Sequence, residues 1–203
     1  LDAMFTQATT HGLALDFHVD EGLGDLNGLE LIADTALRWD FEGPILCGHA
    51  VSLIDRTPDD FARIVDKLQR ARIAICALPT TNLYLQGRVR GTPDRRGLTR
   101  LHELRSAGVP VLVASDNVAD AFCPMGQHDP MAALHIGALA AHLDPPMGPW
   151  LPAITTDARA AIGLAPIYVD GAHLTDLRFS SAPDTASLVA GRTPLISFEG
   201  DPE

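Results

Sequence analysis

The sequence predicts an α/β fold of repeated βα units, and three observations lead there. Four short apolar runs, residues 13–21, 44–49, 73–79 and 109–117, each finish on a polar group able to do chemistry. They recur about every 30 residues, the length of a βα unit. Helix-like stretches separate them. Alternating strands and helices with polar residues at the carboxyl ends of the strands are how a (β/α) barrel builds an active site.

The chain opens on a helix with Leu1, Met4, Phe5 and Ala8 on one face, ended by the His11-Gly12 signal. With no initiator Met and no capping segment, it reads as starting inside a helix of something longer. The first strand follows at once. A second helix is expected over residues 26–39, with Leu26, Leu29, Ile32, Ala33, Ala36 and Leu37 as its apolar stripe. The third starts at Thr57-Pro58-Asp59-Asp60: an N-cap, a proline at the first position and acids in the first turn. Its stripe is Phe61, Ile64, Val65 and Leu68.

The third strand leads through residues 80–88 into a polar loop rich in Arg and Gly. A fourth helix, residues 98–107, ends at Gly108 before the last of the four strands. An apolar helix is expected over 129–142. Pro145, Pro146, Pro149 and Pro152 then break the chain, and one more helix covers 153–163. The remainder, 166–203, reads as short strands and turns.

Composition narrows the function. With 46% hydrophobic and 20% charged residues, the 203-residue chain is an ordinary globular sequence able to bury a core. It is too short for a complete eight-fold barrel, which needs ~250 residues. A net charge of −11 argues against nucleic acid and anionic membranes as partners. No apolar run approaches the ~18 residues of a membrane span. Cys47, Cys76 and Cys123 show no metal spacing, and an odd number without a framework points to a reducing compartment, the cytoplasm.

Strand alternation sorts the candidate residues. Leu13, Leu15 and Phe17 face one way, while Ala14, Asp16 and His18 face the other. In a barrel the bulky set packs against outer helices and His18 points inward at the mouth. His18 is thus a candidate metal ligand, and Glu21, in the following loop, a candidate proton shuttle. Phase does not settle His49, which shares a face with Ile45 and Cys47, although it sits at a strand end. Asp116 ends the fourth run and is costly to bury without a cation or hydrogen bonds. Together these residues supply much of a hydrolytic metal site, in which a divalent ion activates water and a nearby carboxylate moves its proton. Nucleophilic and phosphate-binding alternatives find no support. Gly-x-Ser-x-Gly, the Walker loop, Gly-x-Gly-x-x-Gly and the His-x-Glu with Pro-Cys-x-x-Cys pattern are all absent.

Several segments carry a family resemblance. His18-Val19-Asp20-Glu21, Gly48-His49-Ala50, Asn82-Leu83-Tyr84-Leu85-Gln86-Gly87-Arg88, Arg95-Arg96-Gly97-Leu98-Thr99-Arg100 and Ser115-Asp116-Asn117-Val118 resemble, in order and spacing, the bacterial cytosine deaminase branch of the amidohydrolase superfamily. The similarity covers residues 1–165. It implies the carboxyl-terminal half, strands five to eight, of a (β/α)8 TIM-type barrel. Residues 166–203 then resemble the return to a small β-sandwich.

The resemblance further implies a hydrolytic deaminase with one divalent ion, zinc or iron. In it His18 and Asp116 are metal ligands, and Asp116 is also base for the attacking water. Glu21 shuttles protons, and His49 hydrogen-bonds the attacking hydroxide or the substrate. Gln86, Asn117, Asp120 and Phe122 fall where the family shapes its substrate pocket. Asn117 and Phe122 stand where the best-known cytosine deaminases carry Asp and Trp. The family's His-x-His pair has no counterpart in these 203 residues.

The expected substrate is therefore cytosine or a related small N-heterocycle. Isocytosine, a pterin, a creatinine-like ring and a triazine amide stay open. The expected partners are the missing amino-terminal half or a homo-oligomer. An isolated chain is expected to bind metal weakly and turn over poorly. A rival of another class is a non-catalytic half-barrel that pairs with another chain through its open strand edges.

Overall fold

The computed structural model describes residues 1–88, 90–93, 96–144 and 147–197. Four strands, β1 (Leu15–Val19), β2 (Ile45–His49), β3 (Ile73–Ala77) and β4 (Val111–Val113), form one parallel sheet in the order β1-β2-β3-β4. Helices α1 (Asp2–His11), α2 (Gly28–Arg38), α3 (Pro58–Arg70), α4 (Pro79–Leu85), α5 (Leu101–Ser106) and α6 (Pro130–Ala141) precede, connect and follow them. Consecutive strands are neighbours, as expected of helix-linked βα units.

The register explains the two faces of the sheet. Phe17 pairs with Cys47, Cys47 with Ile75 and Ile75 with Val111, giving one row of side chains across all four strands. That row lies in the main core, with Phe5 of α1, Leu29 and Ile32 of α2, Ile64 and Leu68 of α3, Leu104 of α5 and Leu134 of α6. Phe5 anchors the first helix between the Phe17 and Phe41 rings, 6.3 and 5.2 Å away. The neighbouring row, His18, Gly48, Cys76 and Leu112, faces the opposite way. Its apolar members join Leu46, Leu78 and Ala114 in a second, smaller cluster, against which Ala158 and Ala161 of α7 (Thr156–Ala161) pack. Within β1 the expected alternation holds, with Phe17 buried and Asp16 and His18 exposed, whereas Leu13, expected to pack with Leu15 and Phe17, precedes the strand and is exposed.

Helix ends follow local chemistry. Gly12 closes α1 with φ 63°, its N–H reaching Ala8 O. Thr57 caps α3 by accepting from Asp60 N, with Pro58 at the first position. Asp129 caps α6 through Met131 N. The caps at residues 12 and 57 were read from sequence.

Other expectations need correction. Residues 80–88 carry no helix in the sequence reading, yet α4 occupies Pro79–Leu85. Its Thr-Thr-Asn start has poor helix propensity, and burial of Thr81 and Asn82 against the strand ends outweighs this. The fourth expected helix begins at Leu101 rather than residue 98. Pro149 and Pro152 do not break the chain but lie in a 3-10 helix, Gly148–Ile154, which takes the first two residues of the expected last helix. Arg95, Pro145 and Pro146 lie outside the described residues.

The tail contains a two-stranded antiparallel sheet, β5 (Arg178–Phe179) with β6 (Ile196–Ser197), as short strands were expected. It also contains α8 (Thr185–Val189), which was not. Ala186 and Val189 of α8 pack onto the main core beside α6. Among the described residues no helix is long and apolar enough to cross a membrane.

Candidate active site

Polar side chains converge where β1, β2 and β4 end, and an unusual backbone brings them together. Asp20 (φ 53°), His49 (69°), Ala50 (50°) and Asp116 (65°) are all left-handed. Each such non-glycine residue costs roughly 1–3 kcal/mol and persists only when its surroundings enforce it.

The enforcing contacts are specific. Asp20 O accepts from Val51 N and Ser52 N. The Asp20 carboxylate accepts from Gly28 N, Leu29 N and Ser52 Oγ at 3.0, 3.2 and 2.9 Å. It thereby caps α2 from eight residues upstream, where Asn27 offers no side-chain cap. A Cβ on Gly28 would lie 2.7 Å from Asp20 Oδ1, so this close approach requires glycine. Around Asp116, the fully buried Thr81 donates to Ser115 O (3.4 Å) and accepts from Asn117 N (3.2 Å).

The left-handed turn at His49 removes its side chain from the helix-facing row of Ile45 and Cys47. Its ring instead meets that of His18, with centroids 4.2 Å apart. His49 is 1% exposed. Its Nε2 lies 3.2 Å from His18 Nδ1 and 3.8 Å from Asp116 Oδ2. Its Nδ1 lies 2.9 Å from Asn82 Nδ2 and 3.8 Å from Glu21 Oε1. Glu21 Oε2 in turn is 3.1 Å from His18 Nε2. Burial pushes His49 below the usual imidazole pKa, helped by His18 and opposed by the Glu21 and Asp116 carboxylates. The neutral ring is favoured.

Ligand atoms of His18, Glu21 and His49 all lie within 4.8 Å of one another. Asp116 adjoins this triad through His49, and its Oδ2 is buried without a hydrogen-bond partner. Two imidazoles and carboxylate oxygens are a donor set that fits a borderline divalent cation such as zinc or iron, and the orphaned Oδ2 is the atom such a cation would satisfy. The structure thus brings all four residues singled out on the strand ends together. The tightest triad is not the expected pair of His18 with Asp116.

The four pocket candidates fall differently. Gln86 uses its amide on main chain, donating to Glu21 O at 2.6 Å and accepting from Gly97 N at 2.8 Å, and so fixes the Glu21 loop. Asn117 Nδ2 donates to Asp120 Oδ2 at 2.7 Å. Asp120 Oδ1 accepts from Phe122 N and Cys123 N, which with Asn117 hold its carboxyl below the usual range, the Cys123 bond foremost. Phe122 stands exposed beside them. The Cys76 thiol, on the same face as His18, is pushed up to about 12 by burial and then by Asp16 and Asp116, which rules it out as a thiolate at neutral pH.

Asp20, Ser52, Thr81 and Asn82 were not singled out from sequence. Asp20 and Asn82 lie inside segments that carried the family resemblance. Four polar residues hydrogen-bonding strand ends leave no periodic signature.

Residues 1–166 match the amidohydrolase family. A pterin deaminase of Rhizobium rhizogenes is 39% identical over 165 residues, covering 80% of this chain and 38% of that protein. The structure of 5-methylcytosine deaminase from Klebsiella pneumoniae liganded with 5-fluorocytosine superposes with a TM-score of 0.79 at 23% identity, over 98% of this chain and 50% of that one. N-isopropylammelide isopropylaminohydrolase from Burkholderia multivorans gives 0.74 at 22%, over 97% and 48%. The chain spans about half the length of these solved structures and 38% of the pterin deaminase.

Proposed function

The chain belongs to the amidohydrolase family, and from that premise we propose that it forms part of a metal-dependent deaminase that removes an exocyclic amino group from a small N-heterocycle. One observation carries the reading: His18, Glu21 and His49 meet within 4.8 Å at the carboxyl ends of parallel strands, with Asp116 3.8 Å from His49. In this reading the four-stranded sheet is strands five to eight of a barrel, residues 166–203 return to a small β-sandwich, and the two remaining metal ligands come from strands that this chain lacks.

His18 and Asp116 would hold the ion, and Glu21 and His49 lie beside them. When bound, the ion acts as a Lewis acid that makes water a nucleophile near neutral pH. Asp116 Oδ2 accepts a proton from the attacking water. Glu21 carries a proton to the ring nitrogen and then to the departing amine. His49, neutral and with a nitrogen facing Asp116, hydrogen-bonds the oxygen being added. Water oxygen bonds to the amidine carbon, the carbon–nitrogen bond breaks, and ammonia leaves a ring carbonyl behind. Asn117, Asp120, Phe122 and Gln86 shape the pocket, Gln86 through the Glu21 main chain.

The 39% identity to a pterin deaminase makes a pterin the first substrate to test, ahead of cytosine. Asn117 and Phe122, which depart from the Asp and Trp of known cytosine deaminases, support that order. The test is ammonia release from pterin, cytosine, 5-methylcytosine, isocytosine and a triazine amide by the zinc- or iron-loaded intact protein. Release from one ring amidine, lost on chelation, is the expected result. Silence with every ring overturns the reading.

A further inference from the structure

The loop that carries Glu21 from β1 to α2 is held from outside. Among the described residues no main-chain hydrogen bond links residues 21–26 to one another. Two neighbouring segments supply the contacts instead. Gln86 Nε2 donates to Glu21 O at 2.6 Å. Farther along, Gly24 N donates to Asp55 Oδ2 at 2.6 Å. Arg56, the next residue after Asp55, donates from Nη1 to Asp25 Oδ1 and from Nη2 to Leu26 O.

Arg56 is placed there at a cost. Its side chain is 12% exposed, and its Nε is buried without a hydrogen-bond partner. The Asp25 carboxylate it meets is 91% exposed, so the ion pair by itself adds little. What the guanidinium supplies in return is a planar fork that grips the Asp25 side chain and the Leu26 main chain at once, which the point charge of a lysine does not. The segment bearing Arg56 is fixed from behind. Arg100 Nη2 donates to Ile54 O and Arg56 O at 3.2 and 3.0 Å, with its guanidinium 4.8 Å from the Phe61 ring centroid. Gly97 N donates to Gln86 Oε1 at 2.8 Å, and a Cβ on Gly97 would lie 2.5 Å from Ile54 Cδ1. Residues 97–100 thus back both grips on the loop. We infer that Arg56 is a positioning residue, which clamps residues 25 and 26 and so holds the Glu21 carboxylate 3.1 Å from His18 Nε2 and 3.8 Å from His49 Nδ1.

The clamp stands on geometry alone, while its effect on turnover rests on the deaminase reading, in which Glu21 carries the proton. The test compares the intact, metal-loaded protein with Arg56→Ala. A misplaced Glu21 lowers kcat by ~10²-fold, with KM and metal content nearly unchanged. The Gly24 amide exchanges with solvent severalfold faster, while the Gly28 and Leu29 amides, which the Asp20 carboxylate holds independently, keep their rates. Guanidinium ion, added below the concentration that begins to unfold the protein, enters the vacated space and restores part of both the exchange protection and kcat. Should Arg56→Ala fail to fold, Arg56→Lys keeps the charge and most of the bulk without the fork, and the same division between kcat and KM and between Gly24 and Gly28 is expected.

Unchanged exchange at Gly24, or an equal acceleration at Gly24, Gly28 and Leu29, overturns the clamp. Faster exchange at Gly24 with unchanged kcat overturns the positioning role, and so does a loss of kcat in Arg56→Ala that guanidinium does not reverse. If the unsubstituted protein deaminates nothing, the functional reading fails while exchange at Gly24 still decides the clamp.

Discussion

At the scale of single residues, Glu21 is the side chain whose substitution separates two roles. It lies in the tight triad and also hydrogen-bonds His18. Glu21→Gln keeps the shape and removes the ability to carry a proton. Turnover is expected to fall by ~10²–10⁴-fold, with metal content unchanged by elemental analysis; a parallel loss of metal would make Glu21 a ligand instead. Gly126 carries a different constraint. A Cβ there would lie 2.0 Å from Asn117 O, a main-chain atom unable to move aside without shifting the loop after β4. Gly126→Ala is expected to lower stability by about 1–3 kcal/mol in denaturant titration. His18 and Glu21 were legible because β1 keeps a period of two up to Val19. The placement of His49 was not, because one left-handed residue ends the period where the functional side chain begins. The partners of Asp116 were hidden for the same reason.

At the scale of elements, the caps and loops show which segments stand on local chemistry. Thr57→Ala removes the bond to Asp60 N and should cost α3 about 1 kcal/mol, read as a shift in the unfolding midpoint. The loop 117–126 depends on the Asp120 carboxylate, which accepts from Asn117, Phe122 and Cys123. Its pKa in the fold lies below the ordinary value of 3.8. Its stabilising effect is therefore complete above that value and is lost as pH falls through the lowered one. Amide exchange at Phe122 and Cys123 should accelerate in that acid range and be insensitive to pH above it, once the intrinsic base catalysis of exchange is factored out. Asp120→Asn should abolish the acid step. Helices α1 and α3 were readable from capping residues and apolar spacing. Helix α4 was not, because its residues are chosen for what they hold rather than for helix propensity.

At the scale of the whole molecule, a parallel sheet is covered by helices on one face, and on the other carries a small apolar cluster beside Asp16 and His18. Leu104, fully buried in the main core, tests the covered face. Leu104→Ala should cost about 2–5 kcal/mol, measured by chemical denaturation. The α/β class and the four strands were legible from the recurring apolar runs, since parallel strands buried on both faces read as near-continuous apolar segments. The 3-10 helix Gly148–Ile154 and α8 were not, being set by prolines and by docking onto the core rather than by periodicity.

The cluster of positive φ angles at the strand ends has a consequence for anyone altering this protein. Glycine at position 116 would relax the main chain, remove the unpartnered Oδ2 and cancel the contribution of the side chain in one exchange. Screens for heat resistance are therefore expected to favour this replacement, and to recover sturdier proteins with their chemistry erased. The position where tolerance to heat is easiest to gain is the one where turnover is easiest to lose.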